Sequence, residues 1–123
     1  MTRQRSFAKI EKKLLPKFRN DIGTAESTED VKKFFVYVMQ DFFSQVFAGK
    51  LKLAYDDIKL QPDQTPPFVL DEQVRSREDF ASEWDASDLP RVMTRFAELA
   101  VNRYKHLEKN PEKTEAKIRN VTL

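Results

Sequence analysis

The residues whose types could support catalysis are few, and three of them share one edge of a predicted helix. His106 is the only histidine among 123 residues, and the chain has no cysteine. Glu98, Asn102 and His106 recur every four residues, which aligns them along a helix. Such an edge can provide one metal ligand or a general base, but one histidine cannot form a two-histidine metal site. We expect His106 to be a surface or capping residue and the chain not to be an enzyme.

Acidic residues form three clusters, at residues 56–57, 71–72 and 78–88. A calcium loop needs oxygen ligands at alternate positions and a glycine at its sharp turn, and none of the clusters has that pattern. The two isolated glycines of the chain also cannot form the glycine-rich loop that binds phosphates. The absence of cysteine excludes disulfides and thiolate metal sites. We therefore expect no cofactor, no metal and no small-molecule substrate, and we interpret these carboxylates as solvated helix ends.

Basic residues are concentrated near the start of the sequence, although the net charge of the chain is only +2. Residues 1–20 contain seven cations and a single acid. The cations are candidates for contact with an anion or a nucleic acid, because lysine and arginine neutralise phosphates. They are Arg3, Arg5, Lys9, Lys12, Lys13, Lys17 and Arg19. The alternatives are a solvated face without a partner and a face that binds an acidic protein surface.

The first predicted helix, over residues 5–22, positions most of these cations. Its apolar face consists of residues that recur every three or four positions, namely Phe7, Ile10, Leu14, Phe18 and Ile22. The lysines lie on the opposite side, so the aromatic rings do not interleave with them to stack on bases. Pro16 removes one backbone donor in the middle, which predicts a kink or two short helices. This break also disfavours binding to a membrane surface.

A phenylalanine-rich helix is predicted over residues 28–48, after a cap at Ser27 and before Gly49. Its apolar residues form two adjacent stripes that cover more than half of its circumference, whereas a helix that packs on one side needs an apolar arc of about 100°. The second stripe is therefore a candidate interface with a protein partner or a second copy. Its residues are Val36, Phe43 and Phe47. The alternative is that this stripe packs inside the monomer against residues 50–70.

In the rest of the chain, the sequence predicts short secondary-structure elements and one more long helix. Residues 51–60 alternate between apolar and polar, which predicts a short β-hairpin or a short helix. A short helix is predicted over 77–84 and a long one over 88–109. The expected fold class is therefore all-α, a small bundle of three principal helices around the phenylalanine-rich helix. We expect a single domain over residues 1–110, followed by a charged and mobile tail over 111–123.

These patterns favour a non-enzymatic helical module that binds another protein and associates with itself, with a symmetric homodimer as the default form. The alternative is a nucleic-acid-associated regulator that uses the basic face of the first helix. The longest uninterrupted apolar run has six residues, well below the roughly 20 that span a membrane, so no membrane partner is expected. Because cysteine is absent and no leader sequence is evident, we expect a cytoplasmic protein.

Overall fold

Helices form most of the structure, a computed structural model that describes residues 6–109. The elements in chain order are α1 (Ala8–Gly23), α2 (Thr28–Val46), β1 (Ile58–Leu60), β2 (Phe68–Leu70), α3 (Glu72–Arg75), α4 (Glu78–Ala86) and α5 (Leu89–Lys109). The predicted mainly helical fold is confirmed, and the four predicted helices are found within a few residues of their expected bounds. The predicted tail over 111–123 lies outside the described residues, as do Arg3 and Arg5.

Helix α1 is continuous through Pro16, so of the two predicted alternatives, a kink or two short helices, the structure excludes the second. Pro16 lies inside the helix and is exposed on its solvent side. Water can bond the carbonyl of Lys12, which loses its helical donor to the proline, because this part of the helix surface is open. The buried residues of the opposite face are Leu14, Phe18 and Ile22. The proline is thus tolerated because the face that packs on the rest of the protein does not contain it.

Helix α2 lies at the centre and packs against α1, α5 and β1. The Ser27 hydroxyl caps its start by accepting a hydrogen bond of 3.1 Å from the Asp30 N–H, as predicted. The helix ends at Val46, and its last turn is closed by a 2.8 Å bond from the Gly49 N–H to the Ser44 carbonyl. Ala48 and Gly49 both adopt positive φ there, at 52° and 77°. The predicted helix and its glycine stop are therefore confirmed.

The two-stranded hairpin is present, but its predicted position at 51–60 is wrong. Strand β1 pairs antiparallel with β2, so Ile58 lies opposite Leu70 and Leu60 opposite Phe68. The chain between the strands is the proline-containing loop over residues 61–67. The segment expected to be the first strand is irregular and leads into a 3-10 turn at Tyr55–Asp57. Alternation predicts which residues are buried, but it does not show which segment pairs with which.

Helix α5 packs against α1 and α2 and contributes the third side of the core. At its start the Ser87 hydroxyl accepts a hydrogen bond of 3.1 Å from the Leu89 N–H. The neighbouring carboxylate of Asp88 instead accepts the Phe7 N–H at 2.8 Å, which joins the beginnings of α1 and α5. Phe96 of α5 meets Phe18 and Phe42 at ring-centroid distances of 5.4 and 6.0 Å. One core therefore connects α1, α2 and α5.

Candidate functional site

The residues expected to form an interface are buried within the single chain. Val36, Phe43 and Phe47 expose only 4%, 0% and 8% of their surface. Phe80 of α4 covers the two rings, stacking on Phe43 at 6.0 Å and meeting Phe47 at 6.5 Å. The structure corrects the interface expectation at these positions, because the cover that α2 needs on its second side comes from the chain itself.

The lysines and the arginine of α1 form an exposed basic face. Lys9, Lys12, Lys13, Lys17 and Arg19 are all exposed, and within the described residues only Lys17 has a carboxylate nearby, with its Nζ 3.8 Å from Asp21. The predicted set is therefore brought together on one face for these five members.

Glu11, one of the two acidic residues of α1, is directed away from the basic face. Glu11 accepts two hydrogen bonds of 2.6 Å from the guanidinium of Arg95 on α5. This contact raises the pKa of Arg95, chiefly through the side-chain hydrogen bond from its guanidinium to Glu11. Because Arg95 neutralises Glu11, the acid does not offset the cations of the basic face.

A groove of about 430 Å³ between β2 and α4 is the other candidate site. Its walls are mostly apolar and include Phe68, Val69 and Leu70 of β2 and Phe80, Ala81 and Trp84 of α4. The proline-containing loop closes one end, and two charged residues, Arg75 and Asp85, lie on the rim. This size and chemistry are typical of sites that hold a short apolar segment or a small ligand.

Trp84 is the aromatic anchor of this groove. It packs on Phe80, four residues earlier in α4, at 5.4 Å and meets the edge of Phe68 at 6.4 Å. The ring is only partly buried. A tryptophan that is held in place on one side and open on the other provides a large contact area at a small entropic cost. The groove therefore presents a rigid apolar surface to solvent.

The backbone of β2 has one open edge. Hydrogen bonds join Gln61 to Pro67 at 2.7 Å and Asp71 to Asp57 at 2.8 Å, so paired groups alternate along the hairpin. Because that alternation makes the N–H and C=O of Val69 face β1, those of Phe68 and Leu70 face away from it. Neither residue has a hydrogen-bond partner on that side among residues 6–109. The groove thus combines apolar side chains with available donors and acceptors.

The charged side chains on the rim of the groove are also available to contact a ligand. The Arg75 side chain has no hydrogen bond or ion pair within the described part of the chain. Arg77, by contrast, is engaged with Asp79 at 3.0 Å, and the hydrogen bond from Arg77 lowers the pKa of the Asp79 carboxyl. An anionic group that entered the groove would therefore meet Arg75 and not Arg77.

The groove was not predicted from the sequence, although its parts were visible there. The apolar run at 68–70 and the four-residue spacing of Phe80 and Trp84 are plain in the sequence. Nothing local places the strand and the helix opposite each other. The helix edge that carries His106 is exposed, and no set of three or more histidine or acidic residues within 6–109 is arranged to hold a metal. None of the described helices has the length and apolarity to cross a bilayer.

Comparison of the chain with protein-family models, with curated proteins and with solved structures finds no match.

Proposed function

We propose that this chain is a non-enzymatic protein-interaction module that binds a short segment of a partner protein in the groove between β2 and α4. The observation that carries the proposal is the open, aromatic groove around Trp84, with unpaired backbone groups at its strand edge. Tryptophan is one of the residue types enriched among the few residues that carry most of the binding energy at protein interfaces. We expect this binding in the cytoplasm, a reducing compartment in which a chain without disulfides can fold.

The size of the groove supports a short segment as the occupant. Its volume of about 430 Å³ lies within the range of roughly 300–1,000 Å³ that is typical of clefts enclosing a small ligand. A segment of a few residues can bury its side chains in a groove of this volume. The binding energy would then be concentrated at Trp84 and its neighbours.

The proposal can be tested with the fluorescence of Trp84, which is the only tryptophan of the chain. A random display library of short peptides is selected against the full chain, and recovered peptides are titrated while the emission of Trp84 is followed. We expect saturable binding that shifts the emission and disappears in Ala81→Arg, which places a long charged side chain in the groove. Failure to recover any peptide with these properties would overturn the proposal.

The matched control for this test is Ala86→Arg. Ala86 lies on the same helix and is exposed, but it does not line the groove. Both variants add the same side chain and the same charge, so only Ala81→Arg should lose peptide binding. Light scattering of the free protein tests a further outcome, in which the chain forms the expected homodimer. If a second copy occupies the groove, Ala81→Arg will convert a dimer to a monomer and peptides will compete with the dimer.

The basic face of α1 supports a second candidate, binding to nucleic acid. Its five exposed cations have one nearby acid among the described residues, and Glu11 is neutralised by Arg95. Each phosphate contact makes the logarithm of the affinity depend on the logarithm of the salt concentration with a slope of about −0.9. We expect the triple change of Lys9, Lys12 and Lys13 to glutamine to reduce this slope.

The control for the second candidate is a variant with the same change in charge at another place. Lys52, Lys59 and Lys105 are exposed and lie outside α1, so their replacement by glutamine matches the loss of three positive charges. If both triple variants bind duplex DNA and RNA as the unmodified protein does, or lose binding equally, the basic face of α1 is not a nucleic-acid site.

A further inference from the structure

The strand edge inside the groove defines how a partner segment can bind. Phe68 and Leu70 direct two N–H and two C=O groups away from β1, and these groups have no partner within residues 6–109. A helical segment cannot use them, because its own backbone groups are already bonded to each other. An extended segment has free groups at the matching spacing. The unpaired edge therefore favours an extended occupant over a helical one.

We propose that the groove binds an extended segment of a partner protein as a third strand beside β2, with an acidic residue of that segment against Arg75. This inference depends on the proposed function and specifies the conformation and chemistry of the partner. The added strand would complete the backbone hydrogen bonds of Phe68 and Leu70 while its side chains contact Trp84. Addition of a strand to an exposed sheet edge is a general mode of peptide recognition.

The side chains of β2 define the pattern that the partner must carry. Phe68 and Leu70 point into the core, whereas Val69 points to the other face. Residues directly opposite one another on neighbouring strands share a face, so the two partner residues opposite Phe68 and Leu70 would lie on the side of Trp84. The partner segment should therefore have apolar residues at positions i and i+2.

The length of the paired segment is limited at both ends of β2. Pro66 and Pro67 precede the strand and have no N–H to donate, and α3 begins directly after Asp71. Pairing therefore covers about three residues of the partner. So few backbone bonds give little selectivity, and the flanking charge on Arg75 supplies a further requirement.

Of the two charged residues on the rim, Arg75 favours an acidic neighbour of the apolar pair, whereas Asp85 would repel an acid placed beside it. Arg75 has no carboxylate partner among the described residues, whereas the nearby Arg77 is held by Asp79. A guanidinium binds a carboxylate through two parallel hydrogen bonds, which an aspartate or glutamate beside the paired residues can accept. The expected ligand is therefore an extended segment with apolar residues at positions i and i+2 and an acidic residue beside them.

The first experiment uses capped seven-residue peptides with apolar residues at positions 3 and 5, threonine at position 4 and one flanking glutamate. The peptide amides are methylated singly, and affinity is measured from Trp84 emission. A strand has alternate amides bonded to its neighbour, so methylation at positions 3 and 5 should weaken binding at least tenfold while methylation at position 4 has little effect, or the reverse for a parallel strand. Equal sensitivity at the three positions, or none, would overturn strand addition.

Amide hydrogen exchange of the protein provides a readout without substitutions in β2. Binding of the peptide should slow exchange at Phe68 and Leu70, while Val69, whose N–H already faces β1, should change little. If peptides from the random library bind at Trp84 but leave Phe68 and Leu70 unprotected, the strand inference fails while the proposed function remains. If no peptide from that library binds, the proposed function itself fails.

The role of Arg75 is tested by charge reversal. Arg75→Glu should weaken binding of the glutamate peptide at least fivefold. A peptide in which lysine replaces that glutamate should restore binding to this variant. Arg91→Glu is the matched control, because Arg91 is exposed and lies outside the groove. Equal effects of the two variants, or no rescue by the lysine peptide, would overturn the assignment of Arg75.

Discussion

Arg95 of α5 holds Glu11 of α1 through two parallel hydrogen bonds of 2.6 Å. The carboxylate side chain is 12% exposed, whereas the guanidinium is 44% exposed. The pair thus joins two helices at the border between core and solvent. Together with the bond from the Phe7 N–H to Asp88, it orients α1 on α5 and leaves the lysines of α1 directed outward.

Loss of this ion pair should destabilise the protein moderately. Glu11→Gln should lower the free energy of unfolding by about 1 kcal/mol, since the arginine is largely solvated and screening limits the strength of the pair. Urea unfolding measures the change, and 1 M salt should reduce it. Lys17→Gln is the control, because its 3.8 Å contact with Asp21 is exposed and should contribute nothing measurable. Equal stability of Glu11→Gln and the unmodified protein would contradict the assigned role.

The centre of α2 should be the position most sensitive to truncation. Phe42 is fully buried and meets the rings of Phe7 and Phe96 at 6.3 and 6.0 Å. Phe42→Ala should cost roughly 3–5 kcal/mol of unfolding free energy, because it removes buried surface and leaves a cavity. Tyr37→Ala, on the same helix but 50% exposed, should change it by less than about 1 kcal/mol. Similar denaturation midpoints for the two variants would disprove this assignment of the core.

One added glycine at the end of α2 should increase the stability of the protein. Ala48 has a φ of 52°, a left-handed conformation that disfavours residues with a Cβ atom. Ala48→Gly should therefore raise the free energy of unfolding by roughly 0.5–1 kcal/mol, even after the entropy that glycine adds to the unfolded chain. Gly49→Ala, at a φ of 77°, should have the opposite effect. Thermal unfolding of both variants checks the prediction, and a destabilised Ala48→Gly would refute it.

The contribution of Asp79 to the free energy of unfolding should depend on pH. Its hydrogen bond from Arg77 lowers the pKa of the carboxyl below the ordinary value of 3.8. A lowered pKa in the folded state means that the stabilisation is present above 3.8 and is lost as the pH falls through the folded pKa. Asp79→Asn should therefore be less stable than the unmodified protein near neutral pH, and the difference should shrink in acid. A difference that stays constant from pH 7 to pH 2 would contradict this linkage.

Much of the helical structure could be predicted because helix signals are local. The Ser27 hydroxyl caps a backbone N–H three residues later, and Gly49 follows the last turn of the same helix. It could also be predicted that α2 must pack against neighbours on two sides, because the spacing of Val36, Phe43 and Phe47 around the helix depends on helical geometry alone. These features require no knowledge of distant residues.

The source of that cover could not be predicted. Phe80 stacks on Phe43 although the two residues are far apart in the sequence, and any other apolar surface, including a second copy, would satisfy the same pattern. The hairpin shows the same limit. Alternation around residue 58 indicates a strand, but only the folded chain shows that Ile58 pairs with Leu70.

The amino-acid sequence by itself determined the helices, the basic face of α1 and the amphipathic pattern that must be buried, because each of these follows from residues within a few turns. Only the tertiary structure decided that Phe80 of α4 covers Phe43 and Phe47 of the second stripe and that Trp84 and β2 line the same groove. The groove depends on the distance between two separate elements. That distance is set by the packing of the whole core and leaves no pattern in either segment.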